Sequence, residues 1–218
     1  NSDHNNIVDI DGVIDQTKLS TGSSRMASMV DNLDDIPMPA YDLLDMDLYA
    51  KEDKVAMMFS RGCPFKCTFC ASPSVHGYSI RERSNEKLKG EIDYLIDHWG
   101  IKSLTVYDDL IAANRKKFLE LSNYLKQLDL SFKMPSALSV AVITEPLIDA
   151  LCDIKLDVFQ FAIESGSSYT QKHLINKRVN LDKARSLIDY AKAKDQSVFV
   201  NGILVQRSVI FESPHQLM

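Results

Sequence analysis

From Val55 onward, short apolar runs alternate with amphipathic segments, and this alternation constrains the fold more than any other feature of the chain. Residues 55–59, 104–107, 130–134, 158–163 and 198–205 read as strands. Between the first two, Leu88, Ile92, Leu95, Ile96 and Trp99 recur at helical spacing behind Ser84, an N-cap residue. Asn114 caps a helix carrying Phe118, Leu121, Leu125 and Leu128. Thr144-Glu145-Pro146 opens another through Leu147 and Leu151, and Asn180 caps a stripe of Leu181, Ala184, Leu187, Ile188 and Ala191. Five such steps predict an α/β fold, a parallel sheet curling into a TIM-like barrel or partial barrel.

The other global features narrow the function classes. With 218 residues, 45% of them hydrophobic, the chain can bury one sizeable core. Its 25 Lys and Arg against 30 Asp and Glu give a net charge of -5 with no dense basic stripe, which argues against nucleic-acid or anionic-membrane binding as its main task. Apolar runs such as 55–59 fall far short of the roughly 20 residues a membrane-spanning helix needs.

The first fifty residues are irregular. Asp11-Gly12 between β-branched residues signals a hairpin, and Asp9 and Asp11 lack the further ligands of a calcium loop. Residues 20–50, with Thr21-Gly22-Ser23-Ser24 and Ile36-Pro37-Met38-Pro39, read as a linker along a neighbouring domain. The start Asn1-Ser2-Asp3-His4 has neither an initiator Met nor the layout of a secretory signal, so the expectation is a piece of a longer protein. The expected organisation is a linker and domain remnant over 1–50 and a barrel over 51–218.

The chemistry is concentrated in Arg61-Gly62-Cys63-Pro64-Phe65-Lys66-Cys67-Thr68-Phe69-Cys70, a C-x3-C-x2-C run directly after the first strand. In a parallel barrel that is the face where active sites sit. Three thiolates on one loop can each hold one iron of a cubane cluster, leaving the fourth iron open. The competing reading is a zinc knuckle with His76 or the distant Cys152 as fourth ligand. Crowded cysteines of this kind point to metal chemistry in a reducing compartment. No G-x-x-x-x-G-K, G-x-G-x-x-G, H-E-x-x-H or G-x-S-x-G template occurs.

Cys63, Cys67 and Cys70, with Phe69 before the last of them, resemble the radical SAM signature. Arg81-Glu82-Arg83-Ser84, Tyr107-Asp108-Asp109, Glu164-Ser165-Gly166-Ser167 and the connector Leu33-Asp34-Asp35-Ile36-Pro37-Met38-Pro39-Ala40-Tyr41-Asp42-Leu43-Leu44 resemble blocks of the cobalamin-associated branch of that family, over about residues 30 to 205. The resemblance implies a [4Fe-4S] cluster on the three cysteines and S-adenosylmethionine chelated at its open iron, then reductively cleaved to a 5′-deoxyadenosyl radical. Cobalamin is left open as a cofactor of the full-length protein. By position, Phe69 would lie beside the adenine, Asp108 or Asp109 would meet the SAM amino group, and Glu164 and Ser165 would bind SAM polar groups. No catalytic residue is assigned.

Each position has a plainer alternative. Asp108-Asp109 could be a polar turn, Glu164-Ser165-Gly166 a turn and helix cap, and Arg81 and Arg83 solvated rim charges. Cys152 reads as a core thiol, and none of the five His is assigned. The sequence departs from the family after the fifth strand, where 201–214 lack the usual glycine-proline turn, and at Leu138, where many relatives carry a polar or basic residue. A six-unit barrel would also need a sixth strand beyond Met218.

The resemblance thus implies an oxygen-sensitive, cytoplasmic radical SAM core. The partners it implies are an electron donor such as a flavodoxin or ferredoxin and an unknown small-molecule or peptide substrate. Methyl transfer, cyclisation and methylthiolation share this front end. A non-catalytic zinc module and an inert barrel fragment remain the alternatives.

Overall fold

The computed structural model describes residues 28–177 and 179–202. The expected hairpin at Asp11-Gly12, and the end of the last strand and the off-pattern tail beyond Gly202, lie outside the described residues. The chain divides into Asn1–Asp31, of which residues 28–31 are described and carry no helix or strand, and a unit running from Asn32.

In that second unit the parallel strands follow one another in chain order. β1 (Ala56–Met57) pairs with β4 (Ser103–Val106), and β4 pairs with β5 (Ser131–Lys133). Parallel bridges Phe132↔Leu156 and Leu138↔Phe161 carry the sheet on to β6 (Phe159–Glu164), which pairs with β7 (Val198–Gly202). Each crossover is helical: α3 (Asn85–Trp99), α4 (Arg115–Leu125), α5 (Glu145–Asp153) and α6 (Leu181–Ala193). This is the expected βα succession. Its core is built from Leu104, Val106, Phe132, Phe159 and Phe161 on the strands, with Leu88, Ile92, Leu95, Leu121, Leu125, Leu151 and Leu187 facing them from the helices.

The helix starts fall where the capping chemistry puts them. Ser84 Oγ accepts from Lys87 N–H, Asn114 Oδ1 from Lys117 N–H and Asn180 Oδ1 from Lys183 N–H. α3 stops at Gly100, which takes a left-handed φ of 57° and donates to Ile96 O. Leu138, the position off the family pattern, is buried in the core against Phe161. No helix among the described residues is long and apolar enough to cross a membrane.

The first strand is shorter than its apolar run. At Phe59 the chain leaves the parallel ladder, because Asp108 captures the Phe59 N–H and Arg83 N–H donates to Phe59 O. It continues as β2 (Ser60–Arg61), antiparallel to β3 (Arg81–Glu82). This two-stranded ribbon brackets the cysteine loop and the short helix α2 (Ser72–His76) within it.

Residues 32–51 carry more order than a linker reading anticipates: two 3-10 turns, Leu33–Asp35 and Tyr41–Leu43, and a short helix α1 (Met46–Lys51). Leu33, Tyr41 and Met46 are buried, and Tyr41 meets Trp99 edge-on at 6.0 Å. Asp34 accepts from Ser84 N–H, which holds its carboxyl below the ordinary carboxylate range. Tyr41 OH donates to buried Glu91 at 2.6 Å, and Arg83 pairs with the other Glu91 oxygen at 2.6 Å. Tyr41→Phe takes one donor from a buried carboxylate and should cost about 1–3 kcal/mol. Urea unfolding measures it, and unchanged stability would mean that this segment rests on α3 without securing it.

Candidate metal centre and adjoining cleft

The ribbon turns the chain outward at Gly62, whose φ is 96° and where a Cβ would lie 2.2 Å from Ser79 O, so only glycine fits. Cys63 N–H then donates to Gly77 O, closing the loop at its base. Cys63 and Cys67 are half-buried, Cys70 is exposed, and all three are free thiols. Burial pushes the Cys63 and Cys67 thiols up, with Lys177 nearby acting in the opposite direction. A metal bound here would displace protons from them. Among the described residues, no three His, Cys, Asp or Glu side chains converge so as to hold one metal ion.

The three cysteines line a cleft of about 260 Å³ together with Phe65, Phe69, Asp109, Ser139, Glu164, Lys177 and Asn201. Asp109 follows β4, Ser139 follows β5, and Glu164 and Asn201 lie at the ends of β6 and β7. The cleft therefore opens at the C-terminal ends of the parallel strands, where backbone groups leave the ladder and side chains from successive units meet.

The two adjacent aspartates go to different places. Asp108, 3% exposed, points behind the loop, where it accepts from Phe59 N–H at 2.7 Å and Ser60 Oγ at 2.6 Å and does not line the cleft. Burial pushes its carboxyl up to about 6, against the opposing pull of the Ser60 and Phe59 donors. The folded-state value exceeds the ordinary 3.8, so the unfolded chain releases this proton first. The group's contribution to stability is therefore full below its unfolded value and declines as the pH rises to about 6, by about 3 kcal/mol in all. Asp108→Asn keeps an acceptor for Phe59 and offers an amide donor to Ser60, and should flatten that decline. Urea unfolding on either side of the window checks it, and an equally steep decline in the variant would contradict the assignment.

Asp109 does line the cleft, but its oxygens are already engaged. Oδ2 accepts from Gly62 N–H at 2.8 Å and lies 2.7 Å from His76 Nδ1, and Oδ1 accepts from Ser72 Oγ at 2.6 Å. Burial raises its carboxyl, yet the hydrogen bonds from Ser72, Gly62 and His76 outweigh that and hold it below the ordinary range. Arg81 donates to His76 O, extending the clamp to the ribbon. His76, the nearby candidate for a fourth zinc ligand, thus has Nδ1 turned to Asp109.

Glu164 and Ser165 also part company. Glu164, with a φ of 70°, sends its carboxylate into the cleft, 2.7 Å from Lys177 Nζ, and both side chains are nearly buried at 11% and 14% exposure. Ser165 Oγ accepts from Ser167 N–H, the turn role of its alternative reading. Phe69 stands half-exposed at the cleft mouth with Lys177 Nζ 5.9 Å from its ring centroid. Cys152 packs half-buried against the core on α5.

Two residues here escape sequence reasoning. Lys177 reads as any solvated loop lysine. Gln171, fully buried, donates from Nε2 to both Ile163 O and Ser165 O and holds the bend around Glu164. Only its placement in the π-helical turn Thr170–Leu174 brings it there, and no local pattern announces such a turn.

The fold is thus a parallel half-barrel with a three-cysteine loop at the C-terminal end of its first strand. The chain belongs to the radical SAM superfamily, whose family model matches residues 57–217. It is 32% identical over 182 residues to the cytidylyl-2-hydroxyethylphosphonate methyltransferase of Streptomyces wedmorensis, covering 78% of this chain and 34% of that protein. It is 36% identical over 142 residues to an uncharacterised methyltransferase of Pyrococcus horikoshii, covering 64% and 31%. Among solved structures it is similar to the cobalamin-dependent S-adenosylmethionine radical enzyme OxsB, with a TM-score of 0.70 at 18% identity, covering 89% of this chain and 29% of that one. TsrM, a radical S-adenosylmethionine methyltransferase from Kitasatospora setae, gives a TM-score of 0.62 at 12% identity, covering 83% and 31%. These two likenesses establish the fold. The chain spans about a third of the length of the curated relatives it matches.

Proposed function

We propose that this chain is the SAM-cleaving core of a radical SAM enzyme and that the full-length protein uses cobalamin to transfer a methyl group. The carrying observation is the cleft itself, in which three cysteines of one loop meet a nearly buried ion pair at the C-terminal ends of the strands. The donor set fits a [4Fe-4S] cluster. Three thiols on one loop, which among the described residues do not converge on a single centre, suit three corners of a cubane, which takes its ligands at separate irons. When bound, the cluster supplies an open iron that chelates SAM and one electron that cleaves its sulfonium.

The chain's own residues do the rest. Cys63, Cys67 and Cys70 hold one iron each. Lys177 and Glu164 present a cation and an anion 2.7 Å apart, the complement of the zwitterionic end of an amino acid such as SAM. Phe69 at the mouth offers a ring face to the adenine. Asp109 keeps the loop in place, Asp108 secures the backbone that leads into it, and Ser165 closes the turn after β6. The likeness to named methyltransferases supports methyl transfer as the reaction class. A flavodoxin or ferredoxin is the proposed electron donor and the cytoplasm the proposed compartment, since free thiols and an open cluster suit a reducing environment.

The test is anaerobic reconstitution with iron and sulfide, followed by SAM and dithionite, with 5′-deoxyadenosine and methionine quantified by mass spectrometry. The reading expects both products in equal amounts and dependent on reduction. A cluster-loaded protein that leaves SAM intact would overturn it.

A further inference from the structure

The cleft's cation and its cysteines belong to elements far apart in sequence. Lys177 follows β6 and the π turn, whereas the cysteines follow β1. What fixes one against the other is a short strip of chain, residues 174–177. Ile175 O accepts from Thr68 N–H at 3.1 Å, Leu174 O accepts from Thr68 Oγ1 at 2.8 Å, and Asn176 Nδ2 donates to Lys66 O at 2.9 Å. These bonds grip the loop on both sides of Cys67. Asn176 sits at a φ of 50°, a left-handed conformation that Asn accepts more readily than most side chains. The next residue is Lys177, whose N–H donates to Gln171 O at 3.0 Å and whose Nζ reaches Glu164. The strip therefore carries a grip on the cysteine loop at one end and the cleft's cation at the other.

We propose that Thr68 and Asn176 are positioning residues that hold Lys177 in register with Cys67, so that the cluster and the SAM-binding ion pair form one pre-organised site. The inference rests on the SAM-cleaving reading above. Without the brace the loop still carries its three cysteines, but Lys177 and the cysteine loop settle independently and SAM must order them as it binds. The brace is distinct from the Asp109 clamp, which grips the loop on the side of β4.

Asn176→Gly removes the amide while keeping a residue at ease with positive φ. Thr68→Val removes the hydroxyl at constant shape, and Thr68→Ser restores it. Each protein is reconstituted anaerobically, its iron per chain is counted, and SAM affinity is read from the change that SAM causes in the EPR spectrum of the reduced cluster. Asn176→Gly and Thr68→Val should each raise the Kd for SAM roughly fivefold at unchanged iron content, and Thr68→Ser should match the parent. In the double variant the two effects should combine to less than their product, because both act through one strip. Unchanged SAM affinity in both single variants would overturn the inference, whatever their melting temperatures. So would a fall in iron content equal to the loss of SAM binding. A parent protein that takes up no cluster, or takes one up and ignores SAM, would instead defeat the reading on which this rests.

Discussion

Cys67→Ala is expected to reduce bound iron from about four atoms per chain to nearly none. Cys67 lies at the centre of the loop, between the residues gripped by the 174–176 strip, and it lines the cleft rather than the core. Removing it leaves two thiolates, which cannot retain a cubane against exchange with solvent. The fold should hardly notice: a half-buried loop side chain outside the core changes stability by only about 0.5 kcal/mol. Cys152→Ser is the natural control. It should leave iron unchanged while destabilising the chain by about 1 kcal/mol, since that thiol packs against the core. Iron counting and urea unfolding on the three proteins separate the two roles, and full iron retention in Cys67→Ala would remove the loop from the metal centre.

Asp109→Ala is the second large effect. It strips the acceptor from Gly62, Ser72 and His76 together, releasing the loop's entry, its internal helix and its exit. Hydrogen bonds to a charged group contribute about 1.5–3 kcal/mol each when buried, but this site is open to water on its cleft side. A total loss of about 2–4 kcal/mol is the expected sum, with iron uptake slowed severalfold. Because the Asp109 carboxyl is held below its ordinary value, its contribution is present at neutral pH and lost as the pH falls through the folded-state value. The parent should therefore lose its advantage over Asp109→Ala on acidification. A stability difference that does not change with pH would mean that the carboxylate's charge plays no part in the clamp.

The sheet and its helices were legible because their signals are local. Ser84, Asn114 and Asn180 cap where their side chains can reach the next backbone amides, and the apolar runs of the strands face the same core as the apolar residues that recur at a period of 3.6 on the helices. The β2–β3 ribbon was not legible, since nothing in Ser60-Arg61 or Arg81-Glu82 is strand-like. It exists because a side chain from another strand captures the Phe59 amide. The same limit applies to Asp108 and Asp109. Neighbours at the end of a strand point to opposite sides, and which side holds the cleft is a property of the assembled sheet. Glu164 and Ser165 divide for the same reason, one into the cleft and one into a turn. Lys177 stayed hidden because its position depends on a π turn and a left-handed asparagine, neither of which has a sequence period.

The central claim is that the cysteine loop and the Lys177–Glu164 pair form one site for a cluster and SAM. EPR of the anaerobically reconstituted, reduced protein, recorded with and without SAM, tests it most directly. The account predicts a [4Fe-4S] signal whose shape changes when SAM is added, because the open iron then gains ligands. A colourless, zinc-loaded protein, or a cluster signal indifferent to SAM, would contradict it.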